Sequence, residues 1–570
     1  MPRYRAMQAV PTGVFLLILI LFGPWANADS LITRDDFPCY DTTVPNHTGG
    51  RWPSIAIDSA GRLYTVNFQY IQGGQNTANY HQFNRFDRFG NQAQPVTIFL
   101  PDTVTSDSIW MTDGWYPVYC NQSGSGVIPY EARLESNGTT HAFGKLFDRD
   151  GRVQDNGICQ RCEPGDLDIR ATNPSGAINE AGVVVIAWQG WRIWLDARDS
   201  VFVRLYYPQN DSLSPVIEPK KLPWPALDDP DFDGRYTIDN EPAAGIADDG
   251  SFAVAWTANW RWDWIHVLYV VYNADGTPRS QVMIADCDGP HMDTAGCAPY
   301  AATNVDLAME GDGDFYIVWS GNLWGQSYPT FRTRTHVWMR GFHPDGTSKY
   351  DAMRVTDIDS TYINMLIYPR IACDDSGNVV VCWSDSRLHP ESNDLGMKYD
   401  VFVQRIDPGG RLLGHNQRVN NVAGVSGLAG VGFDCDLNNA GQAGAIWRDY
   451  NQPIAIKAQL MPLSTIGSFV PGDINYDLSG DIADVTSLVS YLFLGAKNTF
   501  WPRDLIDLDG DGSNGNIVDL TRLVDYLFLG GPPPVTPPDG IRPPPVAASG
   551  ALNGRMEAYS GRRFCREVGR

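Results

Sequence analysis

The sequence predicts a mainly β protein: a seven-bladed β-propeller of four-stranded blades over residues 29–467, then a small C-terminal all-α, EF-hand-like module over residues 468–531. Three observations carry this. A glycine followed six residues later by an aromatic, or by a residue in its place, recurs seven times: Gly61/Asn67, Gly124/Tyr130, Gly182/Trp188, Gly250/Trp256, Gly313/Trp319, Gly377/Trp383 and Gly441/Trp447. Each repeat reads as paired hairpins. Near the end of the chain, two acidic loops each lead into an amphipathic helix.

The chain opens with Arg3 and Arg5, an apolar run from Val14 to Phe22, and Ala26-Asn27-Ala28. A basic start, a short apolar stretch and a small-residue cleavage site make a secretory signal peptide, assigned to residues 1–28. The run is too short to span a bilayer comfortably. The expected mature protein is therefore secreted, soluble and without a transmembrane segment, extracellular or held at the cell surface through a receptor.

The net charge of −23 argues against nucleic acid as a partner, because phosphates demand a basic surface. Ten cysteines in 570 residues are too few for a disulfide scaffold but allow occasional bridges, with Cys287 and Cys297 the favoured pair. Cys159-Gln-Arg-Cys162 has no second pair, so it indicates neither a zinc site nor a redox centre.

Repeats of 58 to 68 residues with strand patterning mark a solenoid or propeller. In Pro369-Arg-Ile-Ala-Cys-Asp-Asp-Ser-Gly377-Asn-Val-Val-Val-Cys-Trp383, two β-rich runs flank an Asp/Gly turn, which is a hairpin. A second hairpin, such as Val401 to Asn420, completes four strands, the content of a propeller blade. The seventh unit lacks a clear fourth strand after Met461. Leu31-Ile-Thr-Arg34 stands ahead of the first unit, and is expected to fill that place and latch the ring. The units look like the P-x-x-A-x-D-x-x-G-x5-W repeats of secreted bacterial proteins, a likeness that implies architecture rather than activity.

If the Asp/Gly turns share one face of the ring, the longer connections share the other. These connections hold Trp191 and Trp194, then Trp260, Trp262 and Trp264, then Trp324. Broad rings with a polar edge stack on sugar faces, so these six are the candidate glycan-binding residues; the bland reading is that they pack between blades. Asp229, Asp231 and Asp233, ending in Gly234, form an alternating carboxylate loop able to wrap Ca²⁺, or simply a solvated acidic loop. Such carboxylates could equally act as acid and base on a glycosidic bond.

The C-terminal loops are more specific. Asp473, Asn475, Asp477, Ser479, Asp481 and Asp484 place oxygen ligands at EF-hand spacing, the Ser479 carbonyl included. Asp507, Asp509, Asp511, Ser513, Asn516 and Asp519 repeat the pattern with one extra residue. The helices that follow, Val485 to Gly495 and Leu520 to Gly530, carry apolar residues at i, i+3, i+4, i+7 and i+8. Duplicated loop-helix units with Asp at position 12 resemble the bacterial dockerin domain, over about a tenth of the chain. The resemblance implies Ca²⁺ as cofactor and a cohesin-type receptor as partner, contacted by Ile482 and Ala483 in one copy and by Ile517 and Val518 in the other. Leu478 departs from the usual turn Gly, which implies a weaker first site. Residues 532–570 read as a Pro-rich linker and a basic, disordered tail.

Three functions stay open at this level. The leading one is a secreted dockerin-bearing propeller that presents its Trp-rich face to polysaccharide or glycan. The second is a glycoside hydrolase or polysaccharide lyase using propeller carboxylates. The third is a structural cell-surface propeller that binds proteins.

Overall fold

The structure, a computed structural model, describes residues 34–39, 51–71, 78–93, 97–99, 109–111, 116–134, 140–154, 158–159, 169–192, 200–219, 238–261, 264–286, 302–322, 335–357, 367–387, 398–420, 432–449, 455–467, 472–474, 480–493, 507–509 and 515–534. Its β part is seven antiparallel sheets, six each built from one sequence repeat and the seventh from the last repeat plus a strand from the N-terminal segment. The expected seven-bladed propeller is therefore the observed one. Six blades have four strands. In the second the inner strand is split, so that Ile109–Met111 and Tyr119–Cys120 both pair with Gly126–Leu134.

In each blade the first hairpin turns on the repeat glycine, in five of the seven in a D/N-x-x-G-type turn. The glycine amide donates to the carbonyl three residues back in all seven, at 2.8–3.0 Å, from Gly61 to Asp58 through Gly441 to Asn438. These glycines sit at φ between 73° and 96°, where a Cβ is strained. Antiparallel alternation puts these turns and the second-hairpin turns on one face, the turn face. The strand ends that bracket the longer connections lie on the opposite, long-loop face.

The repeat aromatic is the wedge between blades. Trp188, Trp256, Trp319, Trp383 and Trp447 are all buried on second strands, each in a cluster drawn from two neighbouring blades. Seven such clusters fill the seven seams, with Tyr130 in the seam of the first two blades. Losing one buried Trp costs about 3–5 kcal/mol.

The ring closes through the N-terminus, as expected, but three residues later than Leu31–Arg34. The closing strand is Arg34–Pro38, paired antiparallel to Ala455–Pro462 with Phe37 opposite Ala458. The shift has a packing reason: Phe37, 2% exposed, enters the core between the last and first blades against Phe86. The first repeat has Asn67 where the others have aromatics, and its amide donates to the Cys39 carbonyl at 3.2 Å, tying the latch to the first blade.

Two short helices follow the propeller, Ile482–Phe493 and Ile517–Val524, the second running on to Leu529. Leu488 and Leu523 are buried on their apolar faces, beside Ile474 and Leu508. Among the described residues no helix is long and apolar enough to cross a membrane. The signal-peptide segment, the tail beyond residue 534, and the Cys287 and Cys297 pair lie outside the described residues; among those described, Cys120, Cys373, Cys382 and Cys435 are free thiols.

Candidate functional site

The inner strands of all seven blades line a central channel of about 180 Å³. Its special chemistry begins with a backbone device. In five inner strands a residue at positive φ interrupts the ladder: Trp52 (48°), Asn173 (50°), Glu241 (53°), Asn304 (56°) and Tyr368 (54°). Proline follows in four of the five, and pairing to the next strand resumes one residue after that. Such bulges re-aim side chains at barrel and ring mouths. The re-aimed position carries Ser54, Ser175, Ala243, Asp306 and Arg370 in those blades, and Asp434 in the seventh.

Three of these residues gather with Tyr119. Arg370 lies within electrostatic reach of Asp306, Asp434 and Tyr119. Burial works against its charge, but Asp306 and Asp434 outweigh it and the guanidinium titrates above its ordinary range. Burial raises Asp306, with Arg370 opposing. Asp434 is pushed up to about 6 by burial, against Arg370 and the Ser54 hydroxyl. Asp436, two residues on, is pushed up to about 7 by burial, with Asp434 adding to the shift. The Tyr119 hydroxyl pairs with Ser175 Oγ at 3.2 Å.

The carboxylates also hold the ring together. An inner strand is a sheet edge, and its amides need acceptors. Asp434 Oδ2 accepts from Ser54 Oγ at 2.5 Å and from the Ile55 amide at 3.2 Å. Asp436 Oδ2 accepts from the Ile57 amide at 2.6 Å, and Asp306 Oδ2 from the Ile371 amide at 3.1 Å. Glu241 accepts from the Asn304 amide at 2.8 Å and is raised by burial. A fixed carboxyl keeps lone pairs for a ligand, so structure and chemistry can share these groups.

None of Tyr119, Asp306, Arg370 and Asp434 was among the sequence candidates. A signal was present: within a repeat that otherwise recurs, the residue two before the repeat alanine runs Ser54, Ser175, Asp306, Arg370. Charge variation at one register position of a ring is the mark of a lining residue.

The six tryptophans fare differently. Trp191, Trp260 and Trp264 lie in strand ends at the long-loop face, at Val184–Arg192, Phe252–Arg261 and Trp264–Tyr272. Trp194, Trp262 and Trp324 lie outside the described residues, as do Asp229, Asp231 and Asp233.

At the C-terminus, Asp507, Asp509 and Asp519 offer carboxylate oxygens within 4.8 Å of one another, a spacing that fits one hard cation with ligands at roughly 2.3–2.6 Å. Asp519 is buried and accepts from the amides of Leu508 (2.7 Å), Asp509 (3.3 Å) and Asn516 (2.7 Å). Asp484 does the same in the first copy, accepting from Ile474 at 2.7 Å and Asp481 at 2.8 Å. Asp473 is buried and Asp481 exposed; Asn475, Asp477, Ser479, Asp511 and Ser513 lie outside the described residues. Asn516 caps the second helix through the Val518 amide. Ile482, Ile517 and Val518 are 61%, 57% and 52% exposed, and Ala483 is exposed beside Ile482.

No family model and no curated relative matches the chain. Among solved structures it is similar to the polysaccharide lyase Uly1 (9% identity, 76% of this chain and 99% of that one, TM-score 0.41). It is also similar to an α-L-arabinanase of Penicillium chrysogenum with arabinobiose (10%, 62% and 94%, TM-score 0.38), and to a leech intramolecular trans-sialidase (10%, 76% and 71%, TM-score 0.36). At such identities and TM-scores no functional residue is carried from them to this chain.

Proposed function

We propose that the propeller acts on glycans at the long-loop mouth of its channel. The observation that carries this reading is the gathering of Asp306, Asp434 and Tyr119 at the channel wall, with Arg370 within electrostatic reach of all three. Asp434, raised to about 6, holds a proton under mildly acidic conditions and suits the role of general acid toward a glycosidic oxygen. Asp306, the other channel-lining carboxyl whose charge Arg370 favours, suits the partner that a glycosidase sets against its acid. The channel is smaller than the ~300 Å³ of a typical ligand pocket, so a sugar unit would enter singly while the chain beyond it lies over the Trp-bearing strand ends.

The C-terminal unit has its own reading: a dockerin-type module that ties the secreted protein to a cohesin-type receptor. Asp507, Asp509 and Asp519 would hold Ca²⁺, with the equivalent residues of the first loop holding a second ion. The ion would supply the folding energy that two short helices lack. The exposed Ile482, Ala483, Ile517 and Val518 support an apolar receptor contact.

The test is a panel of plant and microbial polysaccharides incubated with the full chain. Release of reducing ends, lost in Asp434→Asn and Asp306→Asn, supports catalysis. Retention on a glycan gel with no product supports a binding propeller instead. Neither product nor retention rejects the glycan reading.

A further inference from the structure

The charge lining the channel narrows the substrate. This inference rests on the glycan reading above and specifies the class of sugar. Six acidic residues line the channel: Glu180, Asp248, Asp306, Asp375, Asp434 and Asp436. No lysine, arginine or histidine lines it among the described residues. Arg370 lies behind this lining, within the electrostatic field of Asp306 and Asp434, with Glu241 also within its field.

We propose that the sugar units taken by this site are uncharged, neutral hexoses or pentoses rather than uronic or sialic acids. A carboxylate is acceptor-only when ionised, and so is the carboxylate of an anionic sugar. Two acceptors of like charge in a partly buried channel repel, and the water that would screen them is thinned there. The hydroxyls of a neutral sugar are donors that these acceptors complement. A bidentate arginine clamp, the usual answer to a sugar carboxylate, would need a guanidinium free to turn from its protein partners. Arg370 does not line the channel and already lies in the field of two carboxylates of this chain, Asp306 and Asp434.

The far mouth gives no other route in for an anion. There Gln122, Glu180, Gly311, Asp375 and Asn439 are linked across blades: the Gln122 amide donates to Glu180 at 2.5 Å, and the Gly311 amide to Asp375 at 2.9 Å. The connections that leave the strand ends at the long-loop face also hold more Asp and Glu than Lys and Arg. Elimination chemistry needs a uronate whose carboxylate is neutralised while the neighbouring proton leaves. A channel with this lining favours hydrolysis of neutral linkages over it.

The experiment is affinity electrophoresis of the full chain in gels containing neutral polymers (arabinan, xylan, β-glucan) or anionic ones (polygalacturonate, alginate, a sialylated mucin), at low and at 0.5 M salt. The expected result is retention by at least one neutral polymer, tenfold or more tighter than by any anionic polymer at low salt, with the gap narrowing as salt screens the repulsion. Equal or stronger retention by an anionic polymer overturns the neutral-sugar inference and leaves the glycan reading standing. A selectivity unchanged by salt overturns its electrostatic cause. Retention by none of the six rejects the glycan reading, and this inference with it.

Discussion

Asp434 of the last blade accepts a hydrogen bond of 2.5 Å from Ser54 Oγ of the first, and Ser54 Oγ in turn accepts from the Val118 amide of the second at 2.9 Å. One carboxyl thus joins three blades across the point where the chain's two ends meet. Asp436 and Asn438 extend the stitching along the same strand, to the Ile57 amide at 2.6 Å and the Asp58 carbonyl at 2.7 Å.

Removing an acceptor from this seam strands a buried donor, which costs about 1–3 kcal/mol. Asp436→Ala should lower stability by that amount in urea unfolding, and Asp436→Asn, which keeps an acceptor, should lose less. The seam also has a pH sign. Asp434 and Asp436 titrate near 6 and 7 in the folded chain, above the ordinary carboxylate range, so their contribution is full below pH ~4 and is lost as pH rises through 6 to 7. The native protein should lose stability between about pH 4 and 7, and the double Asn variant should lose less across that window.

A second site carries the opposite sign. Arg387, fully buried, pairs with Asp385 at 2.6 Å and Asp357 at 2.7 Å, and stacks over Phe402. Burial works against the Asp357 charge, but Arg387 and then His415 overcome it and hold the carboxyl at about 2. That contribution is present above the ordinary value near 4 and is lost as pH falls toward 2, about 2 kcal/mol in all. Asp357→Asn should flatten the acid limb of a stability–pH curve below pH 4; an unchanged limb would remove the pair from the account.

The latch is tested by Phe37. It is 2% exposed against Phe86, so Phe37→Ala should cost about 3–5 kcal/mol, as a core aromatic does. Deleting residues 34–38 should lower the melting temperature of the whole ring in one transition, because every blade leans on its neighbours. A melting temperature unmoved by the deletion would show a ring that closes without its N-terminus.

Calcium should matter to the C-terminal helices and not to the propeller. In calorimetry of the full chain, EDTA should shift a small early transition downward and leave the main one in place. Asp509→Ala should weaken Ca²⁺ binding measured by titration, while Asp312→Ala, in an acidic turn whose neighbours Glu310 and Asp314 are already bridged by Lys349, should not.

The ring was legible because its period is written in glycine and tryptophan: the turn requires the first, and the seam buries the second. The latch was legible in kind and misplaced by three residues, because strand resemblance alone does not show which side chain, here Phe37, finds the core. The channel site was not read at all. Its residues lie far apart in sequence and meet only when the ring closes, and each occupies a strand position that pattern alone assigns to packing. The tryptophans drew attention by their rarity, whereas Asp306, Arg370 and Asp434 are ordinary residues made unusual by burial.

The most direct measurement is the crystal structure of the Asp434→Asn variant soaked with the oligosaccharide that the polysaccharide panel identifies. The account predicts a sugar unit at the long-loop mouth, hydrogen-bonded to Asp306 and Tyr119 of the channel wall. A sugar seated elsewhere on the propeller, with the channel holding only water, would contradict it.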